Sequence, residues 1–163
     1  MITFRAIGPL IVVPSEGPRG RLIDEAAAAR FWAANPTLKR RVGCYVFGVR
    51  AGKGYVPLYV GKAAVGFEQE VFADHKLKHY NASLLPRQRG TAVLFLVAKD
   101  SGGRSGLDSC LRHIEHYLIQ LAAEKNPKLS NIRRQEYRIL GVFRRGEWPL
   151  SPGAKELRRM LGL

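Results

Sequence analysis

The run VGCYVFGV at 42–49, the turn-prone RAGKG at 50–54 and the run VPLYVGKA at 56–63 decide how this chain is read. Both runs are apolar and rich in β-branched and aromatic residues, and glycine-bearing turn chemistry separates them. The spacing therefore predicts a β-hairpin. Tyr45 and Tyr59 sit one on each strand, and Gly61 and Lys62 leave the second. A phenol beside a phosphodiester can move a proton, and a lysine there meets phosphate as a point charge. A tyrosine-bearing hairpin by itself is common and assigns no activity.

Working outward from the hairpin, residues 2–13 read as a strand ending at Pro14, and Ser-Glu-Gly-Pro-Arg-Gly at 15–20 as a loop. The Ala-rich stretch 22–34 reads as a helix stopped by Asn35-Pro36. On the other side, Phe67, Val71 and Leu77 among charged residues predict an amphipathic helix over 67–80. TAVLFLVA at 91–98 is apolar throughout, as a strand buried on both faces would be. A glycine-rich loop at 101–106 leads to a long helix over 107–124, where Leu107, Cys110, Leu111, Ile114, Leu118 and Leu121 recur at threes and fours. YRILGVF at 137–143 reads as another strand and 154–161 as a short terminal helix. No repeat or low-complexity tract interrupts this order. One α/β domain over 1–163, with an extra N-terminal strand and helix, is the simplest account.

Composition narrows the class of partner. Apolar content of 46% and charged content of 25% are ordinary for a globular protein, but 27 Lys+Arg against 13 Asp+Glu leave a net charge of +14. Such an excess attracts polyanions over long range, nucleic acid first among them; the bland alternative is a basic surface with no specific ligand. Basic residues gather at Arg30, Lys39-Arg40-Arg41, Arg87 and Arg89, Arg133-Arg134, Arg144-Arg145 and Arg158-Arg159. Scattered pairs of this kind suit a phosphate-tracking surface, although any one pair can serve solubility alone. The motifs of dedicated sequence readers are missing. No apolar stretch reaches the roughly 20 residues of a membrane span, and the N-terminus lacks a basic signal-peptide region. Cys44 and Cys110 have no metal-ligand spacing and read as small buried thiols in a reducing compartment, so the cytoplasm is expected.

Glu115 is the residue most suggestive of chemistry. It follows Leu111 and precedes Ile119 at helical spacing, so it borders the apolar stripe of the long helix. A carboxylate there needs compensation, either from a lysine or arginine or from a divalent cation. His113 and His116 flank it, but Arg-His-Ile-Glu-His matches neither arrangement of the zinc-protease helices.

The GCY and YVGKA segments, together with Glu115-His-Tyr-Leu118-Ile119, Pro127 and Asn131, resemble the GIY-YIG nuclease superfamily. Cys44 replaces the isoleucine of the first motif and Val60 that of the second. The resemblance spans about residues 42–132, and its hairpin, helix, third strand and glutamate-bearing helix follow the family's order. It implies a small central antiparallel sheet flanked by helices. It further implies endonucleolytic hydrolysis of DNA with one Mg²⁺ or Mn²⁺ held by Glu115, with RNA as a second possible partner. By the same resemblance Tyr45 or Tyr59, helped by Lys62, would take a proton from the attacking water, and Asn131 would line the site. Asn126 competes with Asn131 for that place, and a plain turn residue is the structural alternative. A tyrosine acting as a base at neutral pH needs positive charge nearby. The family's arginine, on the helix after the second motif, is missing: Gln69, Glu70 and Val71 occupy its positions. His75 or Lys76 is the expected substitute. The rival expectation is a module that keeps the fold, binds nucleic acid and has lost catalysis.

Overall fold

The computed structural model describes residues 1–131 apart from 19, 53 and 87–89, together with Met160. Backbone packing divides the chain into Met1–Asn131 and Ile132–Leu163. The strand expected at 137–143, the helix expected at 154–161 and the basic residues at 87, 89, 133, 134, 144, 145, 158 and 159 lie outside the described residues.

In chain order the elements are β1 (Thr3–Ile11), β2 (Ser15–Gly17), β3 (Gly20–Leu22), α1 (Glu25–Ala34) and a 3-10 turn at Pro36–Leu38. Then follow β4 (Gly43–Ala51), β5 (Gly54–Ala63), α2 (Phe67–Glu70), α3 (Asp74–Leu84), β6 (Thr91–Ser101) and α4 (Leu107–Lys125). The main sheet has four strands in the order β1-β6-β4-β5, and every neighbouring pair is antiparallel. This is the mixed α/β architecture expected, with the N-terminal strand added outside β6.

Three local readings are corrected. The segment 15–20 is no plain loop: β2 and β3 form a small hairpin from Ser15 to Leu22. The first helix begins only at Glu25, because Asp24 is its cap: the carboxylate accepts from the Ala27 amide at 2.8 Å and from the Ser15 hydroxyl at 2.7 Å. The helix expected over 67–80 is broken. Val71 and Phe72 both turn into the core, and Ala73 takes an extended conformation before α3 starts. The Val71 carbonyl, freed from helical bonding by that break, accepts the Tyr80 hydroxyl at 2.7 Å.

Strand alternation gives the sheet two faces of different character. On one, Tyr45, Phe47, Tyr59, Leu94 and Leu96 pack with Phe31, Phe67, Phe72 and Tyr80 from α1, α2, α3 and the segment between the last two. The rings interlock: Phe47 stacks on Tyr80 at 4.1 Å, and Phe31, Trp32 and Phe72 meet edge to face at 4.9–5.8 Å. The other face lies under α4. Cys44, Leu107 and Leu111 form one apolar group there, and Val60, Ile119, Ala122 and Leu129 another.

The outer edge of β5 is sealed by the residues after α4. Asn126 donates to the Pro57 carbonyl at 2.7 Å, Ser130 donates its amide to Leu58 at 2.9 Å, and the Asn131 amide brackets Val60. Backbone groups that an edge strand leaves open are thereby satisfied. No helix among the described residues is long and apolar enough to cross a membrane.

Candidate active site

Tyr45 and Tyr59 occupy opposed strands of the β4–β5 hairpin, two residue pairs apart in register and so on the same face, and their rings stack at 6.3 Å. Gly61 makes room for this. A Cβ there would come within 2.5 Å of the Tyr45 ring and hydroxyl, so the glycine of the second motif is demanded by the tyrosine of the first. Gly43 answers to a different neighbour: its Cβ would strike the Val97 carbonyl oxygen across the sheet.

The two phenols differ in what they meet. Tyr45 is fully enclosed, and its hydroxyl has no hydrogen-bond partner among the described residues. Tyr80 is close enough to serve as a donor but gives its proton to Val71 instead. Burial pushes the Tyr45 phenol far up, and the neighbouring Tyr59, Glu70 and Glu115 push it further. Tyr59 keeps 7% of its surface exposed and accepts a hydrogen bond from Lys76 Nζ at 3.1 Å. The same ammonium lies 5.2 Å from the Tyr59 ring centre and 5.9 Å from that of Tyr45. The structure thus brings Tyr45, Tyr59 and Lys76 together. His75 is exposed in the first turn of α3. His79, one turn along from Lys76, belongs to the same basic run of α3, from which His75 or Lys76 was the expected substitute. Its ring is 5.4 Å from that of Tyr59, and its Nδ1 is 2.9 Å from Ser130 Oγ. The signal for it was its position three residues after Lys76, the spacing that places helical residues side by side.

Glu115 and Lys62 belong to the α4 side. Glu115 is 6% exposed within the buried series Leu111, Glu115, Ile119 of α4, deeper than the border position expected. Among the described residues no cation pairs with it, so the lysine or arginine partner considered above is not found there. Its charge is felt by the Cys44 thiol, which burial first and Glu115 second raise to about 12, while Lys62 works in the opposite direction. Cys44 itself donates to the Leu111 carbonyl at 3.3 Å. Lys62 is engaged by Asp108 at 3.0 Å. Asn131 spends both ends of its amide on the Val60 backbone, and Asn126 holds Pro57 and the Lys128 amide.

Among the described residues no three His, Cys, Asp or Glu side chains converge, and His113 and His116 are exposed. A closed zinc site does not fit such a donor set. A buried carboxylate without a protein cation does fit an ion such as Mg²⁺, which keeps most of its waters and takes one or two carboxylates. Glu115 is that carboxylate. No family model, curated protein or solved structure matches the chain.

Proposed function

We propose that this chain is a metal-dependent endonuclease of GIY-YIG type, hydrolysing phosphodiester bonds of DNA. The observation that carries this reading is the Lys76 ammonium on the Tyr59 hydroxyl, a cation delivered by the helix that follows the second motif. It supplies from α3 the positive charge that Gln69, Glu70 and Val71 fail to supply at the family's arginine position.

Tyr59, and not the enclosed Tyr45, takes the proton of the attacking water. Lys76 stabilises negative charge on the Tyr59 oxygen and faces the phosphate as a point charge. Tyr45 supports the Tyr59 ring from behind. Glu115 would hold the Mg²⁺ or Mn²⁺, which when bound supplies charge neutralisation at the phosphoryl and leaving oxygens. Asn131 acts by fixing the β5 backbone next to Tyr59. The net charge of +14 draws the polyanion in, and the free thiols of Cys44 and Cys110 suit the cytoplasm.

A second reading has its own observation. Tyr45 is sealed and Glu115 is 6% exposed, as in a fold that keeps its motif residues for packing. That reading is a non-catalytic nucleic-acid-binding module. Supercoiled-plasmid cleavage in Mg²⁺ and in Mn²⁺ separates the two. Nicking that disappears in EDTA, in Glu115→Ala and in Lys76→Met supports the nuclease. Salt-sensitive binding without nicking, unchanged by EDTA, supports the module.

A further inference from the structure

The Lys62 ammonium donates to Asp108 Oδ1 at 3.0 Å, and Arg112, one turn further along α4, holds Oδ2 of the same carboxylate at 2.8 Å. Two cations thus share one anion through different oxygens. The Asp108 side chain is 57% exposed and that of Arg112 61%, whereas Lys62 is 29% exposed at the end of the second motif. An exposed pair of this kind is a weak link, worth a small free energy in water.

We propose that Lys62, Asp108 and Arg112 form a displaceable latch in which a nucleic-acid phosphate takes Lys62 from Asp108. The proposal rests on nucleic acid being the ligand and adds a resting state in which the motif lysine is masked. Its chemistry balances without stranding a charge. When Lys62 leaves, Asp108 retains Arg112 on its other oxygen and stays in the first turn of α4, where the helix N-terminus favours an anion. The two cations and one carboxylate carry one positive charge in excess, and the phosphate cancels it. Lys62 has no other hydrogen-bond or ion-pair partner among the described residues, so displacement breaks a single contact.

The test is duplex-DNA binding by fluorescence anisotropy across a salt series, for the full chain and for Asp108→Asn, Lys62→Met and the double variant. Asp108→Asn is expected to bind about two- to fivefold tighter, the scale of one exposed ion pair. Lys62→Met is expected to flatten the log K against log salt slope by about 0.9, one phosphate contact. In the Lys62→Met background, Asp108→Asn should gain no more than the exposed Glu16→Gln, the control for a remote change of charge. An equal gain in both backgrounds, or none in either, overturns the latch while leaving nucleic-acid binding intact. No DNA binding by any of the proteins overturns the proposed function together with the latch.

Discussion

The two faces of the sheet handle polar groups in opposite ways. On the tyrosine face, phenols are set into an aromatic core, and the Tyr59 hydroxyl takes a hydrogen bond from the Lys76 ammonium. On the α4 face, Glu115 sits between Leu111 and Ile119 with no ion-pair partner among the described residues, and Lys62 and Arg112 share the Asp108 carboxylate at the surface. One face is specified by shape and the other by electrostatics. A reaction that needs both a proton acceptor and a cation would draw on each, across the β4–β5 hairpin that joins them.

The comparison is broken most sharply by removing one hydroxyl at a time. Tyr59→Phe is expected to lower plasmid nicking by about 10²–10⁴-fold, the range for loss of a positioned proton-transfer group. Tyr45→Phe should retain most of the activity and leave stability unchanged or slightly higher, since its hydroxyl has no partner among the described residues to lose. Equal losses in the two variants would mean that the faces and phenols have been wrongly distinguished.

Shape on the tyrosine face can be tested by adding one carbon. Gly61→Ala forces a methyl against the Tyr45 ring and should cost about 1–3 kcal/mol in urea unfolding. In a Tyr45→Ala background the added cost should largely vanish, because the colliding atoms are side chain rather than backbone. Gly43→Ala meets the Val97 backbone instead and should not be rescued in that background.

Electrostatics on the α4 face can be tested in the opposite direction. Glu115→Leu should stabilise the fold by about 1–3 kcal/mol, by replacing a largely buried carboxylate that has no cation among the described residues, while eliminating nicking. A protein that melts earlier after this change would show that Glu115 is satisfied in a way the unpaired carboxylate does not suggest.

Smaller effects sharpen the same contrast. Cys44, fully buried with its thiol raised to about 12, should resist alkylation at pH 8 while half-buried Cys110 reacts; denaturant should abolish the difference. In acid, Lys62 and then Arg112 hold the Asp108 carboxyl below its usual 3.8, and the Ser15 hydroxyl and Ala27 amide do the same for Asp24. A depressed carboxyl contributes stability above its unfolded value and loses it as pH falls through the folded one. Asp108→Asn and Asp24→Asn should therefore each flatten the decline in melting temperature below about pH 4, with the tyrosine face unaffected.

The hairpin, the third strand and the long helix were legible because each declares itself locally, through alternation, apolar continuity or a three-four repeat. The β2–β3 hairpin was not: its six strand residues carry no hydrophobic alternation, and only the Gly-Pro pair at 17–18 and Gly20 mark it. The break at Val71–Ala73 was hidden because Val71 also satisfies a helical pattern; what overrides the helix is the burial of Phe72 beside it. At the site, Tyr59 and Lys76 could be nominated from sequence, but their contact depends on how α3 crosses β5. The enclosure of Tyr45 and the use of the Asn131 amide on Val60 are long-range facts. Nothing within a few residues of either position announces them.

The sealing of β5 has a consequence for how the chain behaves in company. A sheet can recruit strands from other molecules only at its margins. Residues 126–131 already occupy the acceptor and donor positions of one margin at Pro57, Leu58 and Val60. At the other, β1 carries Pro9, which has no amide to offer, and a register shift between Ile7 and Leu10. With both margins obstructed among the described residues, copies of the chain can crowd together without their main sheets growing into one another.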